Sequence, residues 1–147
     1  MKTAIKYRSD HTSSENQAYY LLKTGFVLAP LLAGIDKFFN YLTDWMNYLA
    51  PVFPELLNVN YSTFMQGVGV IEIVAAIGVA LKPRVFGYVV AAWMIGIILN
   101  LLMLGAYYDV ALRDFGLAIG ALAMARMAND YEPAREQKHQ NVYVHAN

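Results

Sequence analysis

The sequence predicts an all-α integral membrane protein, a four-helix bundle whose N- and C-termini both lie in the cytoplasm. Hydrophobic residues make up 58% of the 147 residues and charged residues only 15%, whereas a soluble domain carries about 25% charged residues. Several apolar stretches approach the roughly 20 residues that a helix needs to cross the hydrocarbon core. Lysine and arginine also alternate between the segments that connect these stretches, which is typical of a multi-pass membrane protein.

Two of the predicted spans depend on hydrophobicity alone. Residues 61–81 contain a single charged residue, Glu72, and residues 85–108 contain none. Both stretches are too long and too apolar for strands. Pro83 lies in the short turn between them and ends the earlier helix, because proline cannot occupy a helix interior without breaking a hydrogen bond.

The other two spans are interrupted by charges. Residues 18–42 contain Lys23, Asp36 and Lys37, and residues 109–128 are free of charge only over 115–125. Both are still expected to cross the membrane, since a soluble protein would leave their apolar faces uncovered. Between the first two spans, a proline- and aromatic-containing connection predicts a short helix in the membrane interface.

The orientation follows from the positive charges. Residues 1–17, the turn between the second and third spans, and the polar tail 129–147 carry lysine and arginine, whereas the other two connections carry only acidic charges. The positive-inside rule places the basic segments in the cytoplasm. The membrane is therefore expected to be one that borders the cytoplasm.

With the spans oriented in this way, polar residues of all four helices fall in the outer half of the bilayer. At a rise of about 1.5 Å per residue, most lie roughly 5–10 Å below the outer boundary, with Glu72 deeper. The predicted cluster consists of Asp36, Lys37, Gln66, Glu72, Asn100, Arg113 and Asp114.

Charged groups in a membrane usually face the bundle interior and pair, because each costs about 2.5–3.5 kcal/mol to insert. Expected pairs are Lys37 with Glu72 or Asp114, and Arg113 with Asp36. Alternatively Glu72 is protonated, since burial disfavours a charged carboxylate. As a whole, the cluster is either a pocket for a small head group or a proton relay, or an ion-pair core that holds the helices together. Both interpretations stay open at this point. For Glu72 a functional role is favoured, whereas for the amides Gln66 and Asn100 a role in helix packing is favoured.

Other features limit the chemistry. Gly116 and Gly120 form a GxxxG motif, for which packing within the bundle is favoured over dimerisation. The chain has no cysteine, and its three histidines lie in the polar ends, so neither a metal site nor a haem is expected. The net charge is zero, which gives no basic surface for nucleic acid.

Three segments resemble the DoxX family of small bacterial four-helix membrane proteins. They are LLKTGFVLAPLLAGIDKFFNYLTDWMNYLAP, GVGVIEIVAAIGVALKPR and YYDVALRDFGLAIGALAMARMA. The shared features are the Asp-Lys pair before an aromatic exit, the intramembrane glutamate before a basic turn, and the Arg-Asp-Phe-Gly start of the last span. The likeness covers roughly residues 18 to 128.

The resemblance implies a subunit of the bacterial cytoplasmic (inner) membrane that is associated with a respiratory or quinone-linked oxidoreductase complex, rather than an autonomous enzyme. The matching polar positions are Lys37, Glu72, Arg113 and Asp114, and the implied ligand is a quinone or a lipid head group. The alternative is a non-catalytic accessory or assembly protein, either a homo-oligomer or a partner of other membrane subunits. A small transporter is less favoured, because the chain has neither an inverted repeat nor a pair of broken helices.

Overall fold

The computed structural model describes the backbone of residues 2–144 and the side chains of residues 14–129. All regular secondary structure in this range is helical. The elements are α1 (Lys2–Asp36), a 3-10 helix (Trp45–Tyr48), α2 (Val52–Leu57), α3 (Tyr61–Leu81), α4 (Pro83–Leu104) and α5 (Tyr108–Val144). The all-α prediction is therefore confirmed. Helical structure also occurs in the connection between the first two predicted spans, as expected, and α1 and α5 continue into the predicted polar ends.

Within the described residues, three helices are long and apolar enough to cross a membrane. They are Ser14–Asp36 within α1, and all of α3 and α4. The predicted fourth span lies in α5 and is not one of the three, because its longest uncharged stretch covers only residues 115–125. Four crossings and the cytoplasmic location of both ends thus stay predictions.

The outward faces of the three candidate spans are apolar. Large hydrophobic side chains on them are about half exposed, including Leu32, Val70, Val74, Ile77, Ile95 and Leu99. A water-soluble monomer rarely exposes so continuous an apolar surface. These helices therefore suit contact with a lipid bilayer.

The end of α1 differs from the prediction. The first span was expected to reach residue 42, but α1 ends at Asp36. The backbone then turns through Asn40, which has a φ of 54°, and the Asp36 carboxylate accepts hydrogen bonds from the amides of Tyr41 and Leu42. The aspartate thus supplies acceptors for amides that leave the helix, and the chain changes direction there.

Close backbone approach joins the helices in pairs. α1 packs on α3, α4 packs on α5, and further contacts link α3 to α4 and α1 to α5. A Cβ atom added to Gly69 would lie 2.6 Å from the carbonyl oxygen of Gly34, and one added to Gly87 would lie 2.7 Å from the Cβ atom of Ala125. Small residues therefore allow both of the main helix pairs to approach closely.

The predicted GxxxG motif contributes through one of its two glycines. A Cβ atom added to Gly120 would lie 3.3 Å from the ring of Phe26 on α1, whereas Gly116 has no neighbour within 4 Å. Packing within the protein is thus seen at Gly120 and not at Gly116. The glycines at which an added Cβ atom would lie within 3 Å of a neighbouring helix all lie outside this motif; they are Gly34, Gly69, Gly78 and Gly87.

The antiparallel contact of α1 and α3 sets the depth of each side chain. Gly34 lies opposite Gly69, and the Cβ atom of Lys37 also lies against Gly69. Eight residues separate Gly69 from the first residue of α3, so α1 stops about 12 Å short of that end. The connection over residues 37–60 consequently begins near the middle of α3, deeper than the sequence predicts.

Candidate functional site

A buried ion pair joins α1 to α3. The Nζ atom of Lys37 lies 2.6 Å from Oε2 of Glu72, and the two side chains are only 4% and 8% exposed. Glu72 is eleven residues from the first residue of α3 and nine from the last, so the pair lies at mid-helix. Of the two partners predicted for Lys37, the structure therefore selects Glu72.

An aromatic ring covers the same ammonium group. The Nζ atom of Lys37 lies 3.7 Å from the ring centroid of Trp45, which places the cation over the negative face of the indole. The indole Nε1 of Trp45 donates a 2.7 Å hydrogen bond to Oδ2 of Asp36. Trp45 thus connects the two neighbouring charged residues at the end of α1, although their side chains point in different directions.

Asp36 is engaged entirely by the chain that follows it. Besides Trp45, its carboxylate accepts hydrogen bonds from the backbone amides of Tyr41 at 3.0 Å and Leu42 at 3.1 Å. The predicted pair of Asp36 with Arg113 is therefore wrong. A short aspartate side chain at a helix end reaches nearby amide groups more readily than a partner on another helix.

Arg113 and Asp114 are adjacent on α5 but differ sharply in exposure. The Arg113 side chain is 68% exposed, whereas that of Asp114 is 9% exposed, and Arg113 Nε lies 3.8 Å from Asp114 Oδ1. This distance is longer than a hydrogen bond. Among the described side chains, no other partner of the Asp114 carboxylate comes closer, although Asp114 is near enough to Glu72 for the two like charges to interact.

A tryptophan on α4 reaches the same place. Trp93 faces the Glu72 carboxylate, and its Nε1 atom is buried without a partner in acceptable hydrogen-bond geometry. A buried N–H group without an acceptor is unfavourable by about 1–3 kcal/mol. Trp93 is therefore a donor with capacity to spare beside the ion pair.

The two predicted amides lie apart from the charged groups. The Asn100 side chain donates to the carbonyl oxygen of Tyr48 at 2.6 Å and accepts from the amide of Ala50 at 2.9 Å. It thus fixes the connection after the 3-10 helix to α4, a packing role as expected, although the partner is a loop rather than a helix. Gln66 is exposed on α3 and is not part of the cluster.

The central polar cluster therefore consists of Asp36, Lys37, Trp45, Glu72, Trp93 and Asp114. Neither tryptophan was predicted from the sequence to belong to this cluster. Trp45 reads as part of an aromatic belt at the membrane surface, and it reaches the cluster only because α1 ends early. Trp93 lies on an otherwise apolar helix, where the sequence alone does not distinguish a lipid-facing indole from a buried one.

The charges in this cluster are unequal. Its buried groups include three carboxylates, on Asp36, Glu72 and Asp114, and one ammonium group, on Lys37. Asp36 accepts hydrogen bonds from Trp45 and two backbone amides, and Glu72 pairs with Lys37 through Oε2. Asp114, by contrast, has the 3.8 Å contact with Arg113, and the buried Trp93 N–H group faces Glu72 without a partner in hydrogen-bond geometry. Trp93 and Asp114 both belong to the electrostatic environment of Glu72. No group of three or more histidine, aspartate or glutamate side chains in the described part of the chain is arranged to hold a metal ion.

No protein-family model, no characterised protein and no solved structure matches this chain. The resemblance to the DoxX family therefore stays a prediction from the sequence.

Proposed function

We propose that the protein is a subunit of the bacterial inner membrane, associated with a quinone-linked oxidoreductase complex, and that its central polar cluster binds the head group of a quinone. Its helices cross the bilayer four times, with both ends in the cytoplasm. The protein contributes a binding site and a structural position to the complex rather than a redox centre of its own.

The fourth crossing is supported by the packing of α5. Gly87 near the cytoplasmic end of α4 lies against Ala121 and Ala125 of α5, so the two helices run side by side. A helix held along a membrane-spanning neighbour occupies the same depth. Its interrupting charges are accommodated because Asp114 faces the interior, as intramembrane charges usually do.

The quinone proposal is supported by a buried donor on Trp93 and a buried acceptor on Asp114, both of which interact with Glu72 in the central polar cluster. The N–H group of Trp93 has no partner, and the nearest cation to Asp114 is 3.8 Å away. A quinone carbonyl accepts a hydrogen bond from an N–H group, and a quinol hydroxyl donates one to a carboxylate. One head group therefore satisfies both side chains, while the isoprenoid chain lies against the apolar helix surfaces.

The test is binding of a short-chain quinone to the purified protein in mild detergent. Both tryptophans of the chain belong to the cluster, so a bound quinone quenches their fluorescence. We expect saturable quenching that is weakened about tenfold by Asp114→Asn, since a hydrogen bond to a charged group contributes about 1.5–3 kcal/mol. The matched control is Asp109→Asn, an exposed carboxylate at the start of the same helix, which should bind normally. Quenching without saturation, or equal in both variants, would contradict the proposal.

A second candidate is the accessory protein without a ligand, either a homo-oligomer or a partner of other subunits. It is favoured because charged groups of the cluster already have partners within the protein: Lys37 pairs with Glu72, and Asp36 binds Trp45 and the amides that follow it. Mass analysis of the native complex in mild detergent separates the two. Co-purifying redox subunits and quinone support the first function, whereas a homo-oligomer or an assembly of partners without quinone supports the second.

A further inference from the structure

We infer that a groove along the N-terminal half of α1 binds one anionic phospholipid of the cytoplasmic leaflet, with its phosphate on Lys23. The groove has two adjoining parts that share Tyr20 and Thr24. The smaller part, of about 300 Å³, is lined by Tyr20, Lys23, Thr24, Val27, Leu28 and Ala80. The larger, of about 590 Å³, extends it past Gln17 and Asn16. This site is distinct from the central polar cluster.

Lys23 is a cation within the apolar part of α1. Its side chain is half-buried, and it forms no ion pair with any carboxylate among the described side chains. A lysine within an apolar helix normally finds an anion or extends its ammonium group to the head-group region. The groove beside Lys23 supplies the space for such an anion.

Lys23 lies at a depth that suits a lipid phosphate. Gly34 lies opposite Gly69 in the antiparallel contact of α1 and α3. Lys23 lies eleven residues before Gly34, and Ala80 lies eleven residues after Gly69. Both Lys23 and Ala80 line the groove. Ala80 is two residues from the exposed Lys82 in the turn that joins α3 to α4. Lys23 is therefore level with a basic turn, where a bilayer places its phosphates.

The polarity of the groove changes along its length. Asn16 and Gln17 line one end and Thr24 the middle, whereas Val27 and Leu28 line the end toward the centre of the helix. A phospholipid has the same order, from a polar head group through the phosphate to an acyl chain. A free phosphate would use only the cationic part, and a zwitterionic lipid would use the positive charge less well.

The test is native mass spectrometry of the full-length protein released from vesicles of phosphatidylcholine and phosphatidylglycerol in equal amounts. We expect one phosphatidylglycerol molecule to be retained in preference to phosphatidylcholine. Lys23→Gln should reduce this preference about fivefold, because one lysine at the membrane surface contributes about 1 kcal/mol to binding of an anionic lipid. An excess of inorganic phosphate should not displace the lipid, since phosphate lacks the acyl chain.

The matched control is Arg126→Gln, which removes an exposed cation from α5 near the same end of the protein. Equal retention of both lipids by the native chain, or equal losses in the two variants, would overturn the inference in favour of diffuse attraction. If Lys23→Gln alters the circular dichroism spectrum, Leu28→Trp fills the groove while retaining the charge, and it should also reduce lipid retention.

The inference rests on α1 crossing a membrane, which is part of the proposed function, but not on quinone binding. Quinone titration of Lys23→Gln keeps the two apart, because the groove and the central polar cluster lie at different depths. If Lys23→Gln binds quinone normally but has lost the lipid preference, the lipid site is the groove. If the native protein retains the lipid preference but binds no quinone, only the quinone proposal is contradicted.

Discussion

Substituting Lys37 with methionine removes the ammonium group that neutralises the buried Glu72 carboxylate. Both side chains are less than a tenth exposed and their charged atoms are 2.6 Å apart. Methionine keeps most of the volume but leaves a carboxylate without its counter-ion. Removing one partner of a buried ion pair typically lowers the free energy of unfolding by about 3–5 kcal/mol, and we expect a loss in that range.

The double variant Lys37→Met/Glu72→Gln tests whether that loss arises from the unpaired charge. Glu72→Gln alone leaves the ammonium group uncompensated, although the amide oxygen still accepts a hydrogen bond. In the double variant no charge is left unpaired, so its destabilisation should be about 2 kcal/mol or more below the sum of the single variants, as for residues in direct contact. Lys82→Met, at an exposed position, is the control and should change the stability by less than about 0.5 kcal/mol.

The assay is unfolding by sodium dodecyl sulfate in a mild detergent, followed by circular dichroism and tryptophan fluorescence. Trp45 lies directly over Lys37, so its emission reports the loss of the pair as well as global unfolding. If Lys37→Met is destabilised by less than about 1 kcal/mol, or if the effects of the two single variants simply add, the buried pair does not hold α1 to α3.

Three further substitutions probe the structure around this pair with the same unfolding assay. Asp36→Ala should be destabilised by at least about 3 kcal/mol, because it removes the acceptor of three hydrogen bonds, each worth about 1–1.5 kcal/mol; Asp36→Asn should lose about half as much. Gly69→Ala should be destabilised by about 1–3 kcal/mol, because its Cβ atom would lie 2.6 Å from a carbonyl oxygen of α1, whereas Gly67→Ala, with open space around it, should be neutral or slightly stabilised. Asn100→Leu should be destabilised by about 2 kcal/mol through the loss of two hydrogen bonds to the connection, and unchanged stability would exclude that anchoring role.

The helical architecture was predictable because hydrophobicity along the chain reflects it directly. The predicted span 61–81 coincides with α3. The predicted span 85–108 differs from α4 by two residues at its start and four at its end. Pro83 ends α3 as expected and begins α4. Such boundaries are local properties, set by proline and by runs of apolar residues.

The end of α1 was not predictable in the same way. Its position depends on hydrogen bonds between Asp36 and amides five and six residues later, and on the left-handed backbone of Asn40. The hydrophobic residues after Asp36 suggest a longer helix, whereas they belong to a connection that packs beside α3. Hydropathy measures the preference for lipid or protein interior but not the backbone conformation within it.

For the candidate site, opposite charges in the same half of the bundle were enough to indicate that Lys37 pairs with Glu72 or Asp114, and the structure selects Glu72. They were not enough to exclude Arg113 with Asp36, since the rotation of each helix decides which side chain faces inward. The exposed Arg113 and the buried Asp114 are neighbours in sequence but lie about 100° apart around α5. Trp45 required knowledge of the connection, and Trp93 required the register of α4 on α3.

Topology is most directly measured by labelling single cysteines in intact and in permeabilised cells, which is straightforward because the chain has no native cysteine. Suitable positions are Glu55, Lys82, Asp109 and Gln137, one in each connection and one in the tail. Four crossings around the central polar cluster predict that a membrane-impermeant reagent labels positions 55 and 109 in intact cells, and positions 82 and 137 only after permeabilisation. Labelling of positions 109 and 137 from the same side would contradict the four-span arrangement, since α5 would then not cross the membrane.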